Sequence, residues 1–131
     1  MKLKTAISTI ALSSILLALP ALASASPMTI INGTKKPFSV SINNHCSSVF
    51  GLIQPGQNRE ANEFVLSKMC GQNTTNCEAE IHQKSQCSGD IIAKFNFDVK
   101  NGITGQYTTE KPYKVNIDTS ANVFVLYEEV K

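Results

Sequence analysis

The chain has 131 residues, of which 42% are hydrophobic and 17% charged, with a formal net charge of +2, four cysteines and no tryptophan. Arg59 is its only arginine. Without a clustered basic excess there is no electrostatic footprint for nucleic acid or an anionic membrane, and one guanidinium gives little basis for phosphate recognition.

The first 25 residues have the form of an export signal. Lys2 and Lys4 make a short positive start, residues 6–19 are almost wholly apolar, and Pro20 ends the run. Ala21-Leu22-Ala23-Ser24-Ala25 then offers small residues at cleavage spacing, so residues 1–25 are expected to be a secretory signal of bacterial type, cut after Ala25 or, second, after Ala23. The apolar run is shorter than the roughly 20 residues of a stable span. No cysteine follows either cleavage site, so no lipid anchor is expected. The remainder, residues 26–131, is expected to form one domain, periplasmic or secreted, with no membrane span. Loss of Lys2 and Lys4 leaves it ten basic against ten acidic side chains, a neutral surface.

From residue 26 onward the dominant signal is alternation with a period of two, the mark of strands with one wet face. Residues 28–32 form a weak strand ending at Asn32-Gly33, a pair suited to a type I′ turn. Phe38, Val40 and Ile42 point inward while Ser39, Ser41 and Asn43 point to water. A polar loop follows at residues 43–48, and Pro55-Gly56 suits a type II turn. Residues 60–69 read as an extended start and one helical turn near Leu66–Met69, stopped by Cys70-Gly71. A polar loop at 71–76 leads to a weak strand at 77–83. Ile91, Ala93, Phe95, Phe97 and Val99 make the clearest inward stripe. Asn101-Gly102 suits a second type I′ turn, and Gly105 with residues 108–112 reads as a bulge or loop. Tyr113, Val115 and Ile117 alternate again, and residues 123–127, apolar throughout, read as a central strand covered on both sides. The expected fold is all-β: a small disulfide-stapled antiparallel β-sandwich with at most one short helix.

Cys46, Cys70, Cys77 and Cys87 all follow the export signal, an even number that reads as two disulfides of an oxidising compartment. The favoured pairing is Cys70–Cys77, closing the polar loop, with Cys46–Cys87 tying distant segments. The pairing Cys46–Cys70 with Cys77–Cys87 stays open. No Cys-x-x-Cys or His-x3-His spacing occurs, so neither a metal, a redox role nor any cofactor is expected.

The histidines are His45, beside Cys46 in a polar loop, and His82, at the end of Glu78-x-Glu80-x-His82. That row could hold a cation or move a proton, but it reads first as the solvated face of an edge strand. No nucleophile elbow, zinc-binding helix or phosphate loop is found, and no catalytic residue is assigned. Phe50, Tyr107 and Tyr127 are the aromatics expected nearest the surface. Asn32-Gly33-Thr34 and Asn73-Thr74-Thr75 match a glycosylation pattern that carries meaning only in a eukaryotic chain. The candidate binding loops are Asn43, Asn44 and His45, and Gln72, Asn73 and Thr74.

Residues 29–34, Cys46 with residues 50–56, residues 77–82 and residues 87–93 together resemble a loose group of small exported proteins of amoeba-infecting gammaproteobacteria, type II secretion substrates among them. The strand followed by Gly51-Leu52-Ile53-Gln54-Pro55-Gly56 also has a faint likeness to thaumatin-like sandwiches, without their cysteine framework or acidic cleft. The group implies scaffold and export, and no catalytic residues. The leading expectation is therefore a non-enzymatic interaction module meeting a protein or host-surface partner. An inhibitor of a protease or muramidase comes second, with residues 71–76 as the inserting loop. A hydrolase using His82 with Glu80 or Asp98 comes third. Partner and oligomeric state are left open.

Overall fold

The computed structural model describes residues 26–129, so the export signal expected over 1–25 lies outside the described residues. The described residues build two sheets, one of four strands and one of six. The first runs Asn58–Ala61 (β5), Met28–Gly33 (β1), Val123–Glu128 (β10) and Tyr113–Asp118 (β9). The second runs His45–Cys46 (β3), Phe38–Ile42 (β2), Cys77–His82 (β6), Ile91–Asp98 (β7) and Gly102–Thr109 (β8), with Leu52–Ile53 (β4) also on β2. Every pairing is antiparallel except β1 with β10, which is parallel. The one α-helix described, Glu63–Cys70 (α1), links β5 to the second sheet. The fold is all-β with one short helix, as expected.

Alternation places the core. Met28 and Ile30 from β1, Phe124 and Leu126 from β10, and Val40, Ile81, Phe95 and Phe97 from the other sheet are fully buried. Phe95 and Phe124 stack with ring centroids 4.1 Å apart, joining the two sheets through their aromatic faces. The inward stripe on β7 loses phase at its start, however. A register shift between Ile81 and His82 leaves Ile91 exposed and Ile92 buried, the effect of one extra residue in a ladder.

Two expected faces differ. β2 is buried at all five positions, Ser39 and Ser41 included. The Lys84–Cys87 segment crosses its outer face: Ser39 Oγ donates to the Lys84 carbonyl and accepts from the Cys87 N–H at 2.8 Å. β10, in contrast, is interior to its sheet but covered on one side only. Phe124 and Leu126 are buried while Val123 and Val125 are half-buried and Tyr127 is exposed.

The turns show which local signals prevail. Pro55-Gly56 does form the turn, with Gly56 at φ 81° and the Gln57 N–H donating to the Gln54 carbonyl at 2.9 Å. Asn32-Gly33 is not a turn but the end of β1, paired with Leu126 and Tyr127. Gly33 is needed there because a Cβ would lie 3.0 Å from the Leu126 carbonyl oxygen and 3.1 Å from Tyr127 Cβ. Asn101-Gly102 lies at the expected hairpin, but the positive φ falls on Gly102 and not on Asn101. The Asp98 carboxylate organises that turn by accepting from the Lys100 and Asn101 N–H groups. The two-residue left-handed turn is instead Asn43-Asn44, at φ 52° and 68°, between β2 and β3. The helix spans eight residues and not one turn, because Asn62 caps it by accepting from the Val65 N–H at 2.9 Å.

Asn32 itself is fully buried, with its amide satisfied on both sides. Nδ2 donates to the Ile53 carbonyl at 2.8 Å and the Lys36 carbonyl at 2.9 Å, and Oδ1 accepts from the Thr34 N–H and hydroxyl at 2.8 and 2.6 Å. This ties β1 to β4 across the two sheets and closes Asn32 to modification. Replacing it leaves buried carbonyls unpaired, so Asn32→Ala should lower unfolding free energy by about 2–3 kcal/mol. Urea denaturation checks this, and a change under about 0.5 kcal/mol contradicts the network.

Candidate functional site

Both candidate loops lie at one end of the sandwich. β2 ends there in the Asn43-Asn44 turn, α1 ends at Cys70, and residues 71–76 lead into β6. The Asn43 N–H donates to the Glu78 carbonyl at 2.9 Å, and its Nδ2 donates to the Cys70 carbonyl at 3.3 Å. The disulfide Cys70–Cys77 closes the loop beneath, both cysteines fully buried. Gln72 and Asn73 are exposed and Thr74 half-buried, while Asn44 and His45 are exposed beside them. A third segment joins these, the β7–β8 turn: the Val99 N–H donates to the Thr74 carbonyl at 2.8 Å, and Asn96 Nδ2 donates to Asn76 Oδ1 at 3.0 Å. A shallow cleft of about 290 Å³ runs between this turn, Thr74, Thr75 and the Glu63 and Ser67 face of α1.

Phe64, on the same helix, is 67% exposed, the highest among the exposed large hydrophobic side chains described. Lys68 Nζ lies 4.9 Å from its ring centroid, one helical turn on. The sequence reading of residues 60–69, an extended start and one helical turn, does not place Phe64 on the surface. Asn62 as cap was the missed signal: it sets the helix phase so that Leu66 and Cys70 face inward. Of the aromatics expected near the surface, Tyr107 and Tyr127 are exposed, at 48% and 39%, and Phe50 is fully buried.

The Glu78-x-Glu80-x-His82 row does not lie on an edge strand. β6 is interior to its sheet, and Glu80 and His82 are each only 9% exposed. Ser41 Oγ lies 3.1 Å from Glu80 Oε1 and 3.0 Å from His82 Nε2, and Lys94 Nζ lies 3.7 Å from Glu80 Oε2. Serine, histidine and carboxylate are thus together, but in the wrong order for a nucleophile. A hydrolytic triad puts its carboxylate on the ring nitrogen opposite the serine, whereas Glu80 approaches Nε2, at 3.9 Å, and Nδ1 is buried without a partner among the described residues. Ser41 is 4% exposed, out of reach of a substrate. Asp98 lies at the other end of β7 from Ile91, the partner of His82, and is engaged in its turn. Hydrogen bonds from Ser41 join β2 to β6, and the Lys94–Glu80 ion pair extends the contact to β7. Among the described residues no group of three His, Cys, Asp or Glu is placed to hold a metal.

The second disulfide, Cys46–Cys87, lies on the outer face of the six-stranded sheet. It draws Lys84–Cys87 over β2 and forms one wall of a cleft of about 540 Å³, lined by Ser39, Ser47, Leu52 and Gln86 among others. Gln86 and Cys87 are both left-handed, at φ 55° and 56°, a conformation held here by the crosslink and the bond to Ser39. Cys46 is exposed and Cys87 half-buried.

No protein-family model and no curated protein matches the sequence. Among solved structures, the crystal structure of the Legionella pneumophila type II secretion system substrate NttC is similar, with a TM-score of 0.58 at 12% sequence identity. The match covers 79% of this chain and 98% of that one. The likeness is one of fold. Among the described residues no helix is long and apolar enough to cross a membrane, and two disulfides mark a chain that matures in an oxidising environment.

Proposed function

We propose that this is an exported interaction module, carried out of the cell after removal of residues 1–25, which meets a protein partner through the loop end of its sandwich. The observation that carries this reading is the convergence of three segments there, residues 43–45, 72–76 and 99–101, over a buried disulfide and beside an exposed phenylalanine. Loops held in this way lose little freedom on association, and an exposed aromatic at such a rim is the side-chain type that anchors protein contacts. The fold shared with a type II secretion substrate, together with the disulfides, supports export.

Crosslinking capture from envelope and host-cell extracts tests it, with Phe64→Ala and Asn73→Ala as paired variants. A partner retained by the parent and weakened by about tenfold or more in Phe64→Ala is the expected result. Capture unchanged in both variants, or no specific partner from either extract, overturns it. A second reading, an inhibitor presenting residues 71–76 to a hydrolase, rests on the same exposed loop closed by Cys70–Cys77. A panel of proteases and muramidases separates an inhibitor from a module that binds elsewhere on its partner.

A further inference from the structure

The outer face of the four-stranded sheet carries an apolar strip that the loop end leaves unused. Its residues lie in three rows across the strands, set by the pairing register. The first row is Glu60, Thr29, Val123 and Asp118. The middle row is Asn58, Ile31, Val125 and Asn116. The third is Gly33, Tyr127 and Lys114. Ile31, Val123 and Val125 are half-buried and Tyr127 is 39% exposed, none of them packed into the core. The strip is therefore apolar at its centre, acidic at one end and basic at the other.

We propose that this face binds a second copy of the same chain, packed sheet on sheet about a twofold axis that runs across the strands through the middle row. Such an axis sets each strand over its own copy and reverses the rows. Ile31 and Val125 then meet themselves, Tyr127 covers Val123 of the other copy, and Gly33 leaves room beside that ring. Lys114 comes opposite Asp118, twice over, and Glu60 faces the uncharged Pro55-Gly56 turn. The other in-plane twofold, parallel to the strands, would place β9 over β5 and set Asp118 against Glu60, like charge on like. The charge pattern selects the first arrangement, as isologous contacts require a self-complementary patch.

Within one chain these charges are lightly held. Lys114 Nζ lies 3.8 Å from Glu129 Oε1 in an exposed pair, a contact worth little in water. The Asp118 carboxylate is held below its usual range, first by the Ser120 hydroxyl and then by the Ala121 N–H, and so stays charged at neutral pH. Strands about 4.8 Å apart and rows about 7 Å apart make a face roughly 15 Å by 20 Å. That is well under half of the roughly 800 Å² per partner of a standard interface, so weak association, with a dissociation constant of roughly 0.1–1 mM, is expected.

Sedimentation velocity on the purified protein, over micromolar to roughly millimolar concentration, reads the dissociation constant. Val125→Glu places two carboxylates together at the axis and should weaken association by at least about tenfold. Lys114→Glu sets glutamate against Asp118 and should weaken it by about fivefold. Asp118→Asn keeps the oxygen that accepts from Ser120 and Ala121. It should weaken the parent dimer yet strengthen the Lys114→Glu dimer, a reversal that a purely structural role does not produce. All variants are compared by near-ultraviolet circular dichroism, and the Asp118→Asn comparison decides the matter even if Val125→Glu fails to fold. A monomer at every concentration, an unchanged constant in folded Val125→Glu, or an Asp118→Asn effect of one sign in both backgrounds overturns the proposal.

Discussion

Phe95→Ala should lower unfolding free energy by about 3–5 kcal/mol, the range for emptying a buried aromatic site. Phe95 is fully buried, stacks on Phe124 of the opposite sheet at 4.1 Å and lies 6.1 Å from Phe97. Truncation therefore opens a void between the sheets, where neither can collapse without lifting from its own hydrogen-bond ladder. Against a typical stability of about 5–15 kcal/mol, the variant keeps little reserve. Its melting temperature should fall by about 15 °C or more. Tyr107 pairs with Phe95 in register on β8 but is 48% exposed. Tyr107→Ala is the matched control and should cost under about 1 kcal/mol. Equal losses in the two variants would show that the aromatic contact between the sheets is not what holds them.

The two disulfides should differ both in what they contribute and in how readily they open. Their sequence separations are 41 residues for Cys46–Cys87 and 7 for Cys70–Cys77. The chain-entropy model then assigns about 4 kcal/mol to the long loop and about 2.4 kcal/mol to the short one. Cys46→Ala with Cys87→Ala should accordingly destabilise by about 4 kcal/mol, and it also frees the Lys84–Cys87 segment from the outer face of β2. Access runs the other way: Cys46 is exposed, whereas Cys70 and Cys77 are fully buried. Exchange requires a thiolate to reach a sulfur, so a dithiol reductant under native conditions should open Cys46–Cys87 first. Alkylation and peptide mass mapping read the order. Cys70 and Cys77 labelled ahead of Cys46 would contradict it.

Much of the fold is legible in the residues because most strands obey one rule, apolar in and polar out. β9 follows it throughout and β7 from Ala93 onward, and Pro55-Gly56 forms the turn its residues favour. Where the reading fails, a long-range contact outweighs a local signal. Asn32-Gly33 has turn chemistry, but its amide is claimed by Ile53, 21 residues away. Ser39 and Ser41 look solvated, but the Lys84–Cys87 segment closes over Ser39, and Glu80 and His82 engage Ser41. Gly105 and residues 108–112 read as a bulge or loop because β8 is a polar edge strand broken by Gly105, at φ 94°, and only its pairing with β7 makes it a strand. The candidate site divides similarly. Both loops were visible from polarity and cysteine spacing. The third turn beside them and the outward phase of Phe64 depend on the Val99–Thr74 bond and on the Asn62 cap.

The parallel ladder between β1 and β10 makes neighbours of the first and last strands described. A chain crossing a membrane amino end first would deliver β1 long before the strand that flanks it. Until β10 is made, one edge of β1 has no ladder, and Ile30 has no Phe124 beside it. High contact order of this kind slows folding. Deletion of β10 would leave that edge of β1 open and Ile30 without Phe124 beside it.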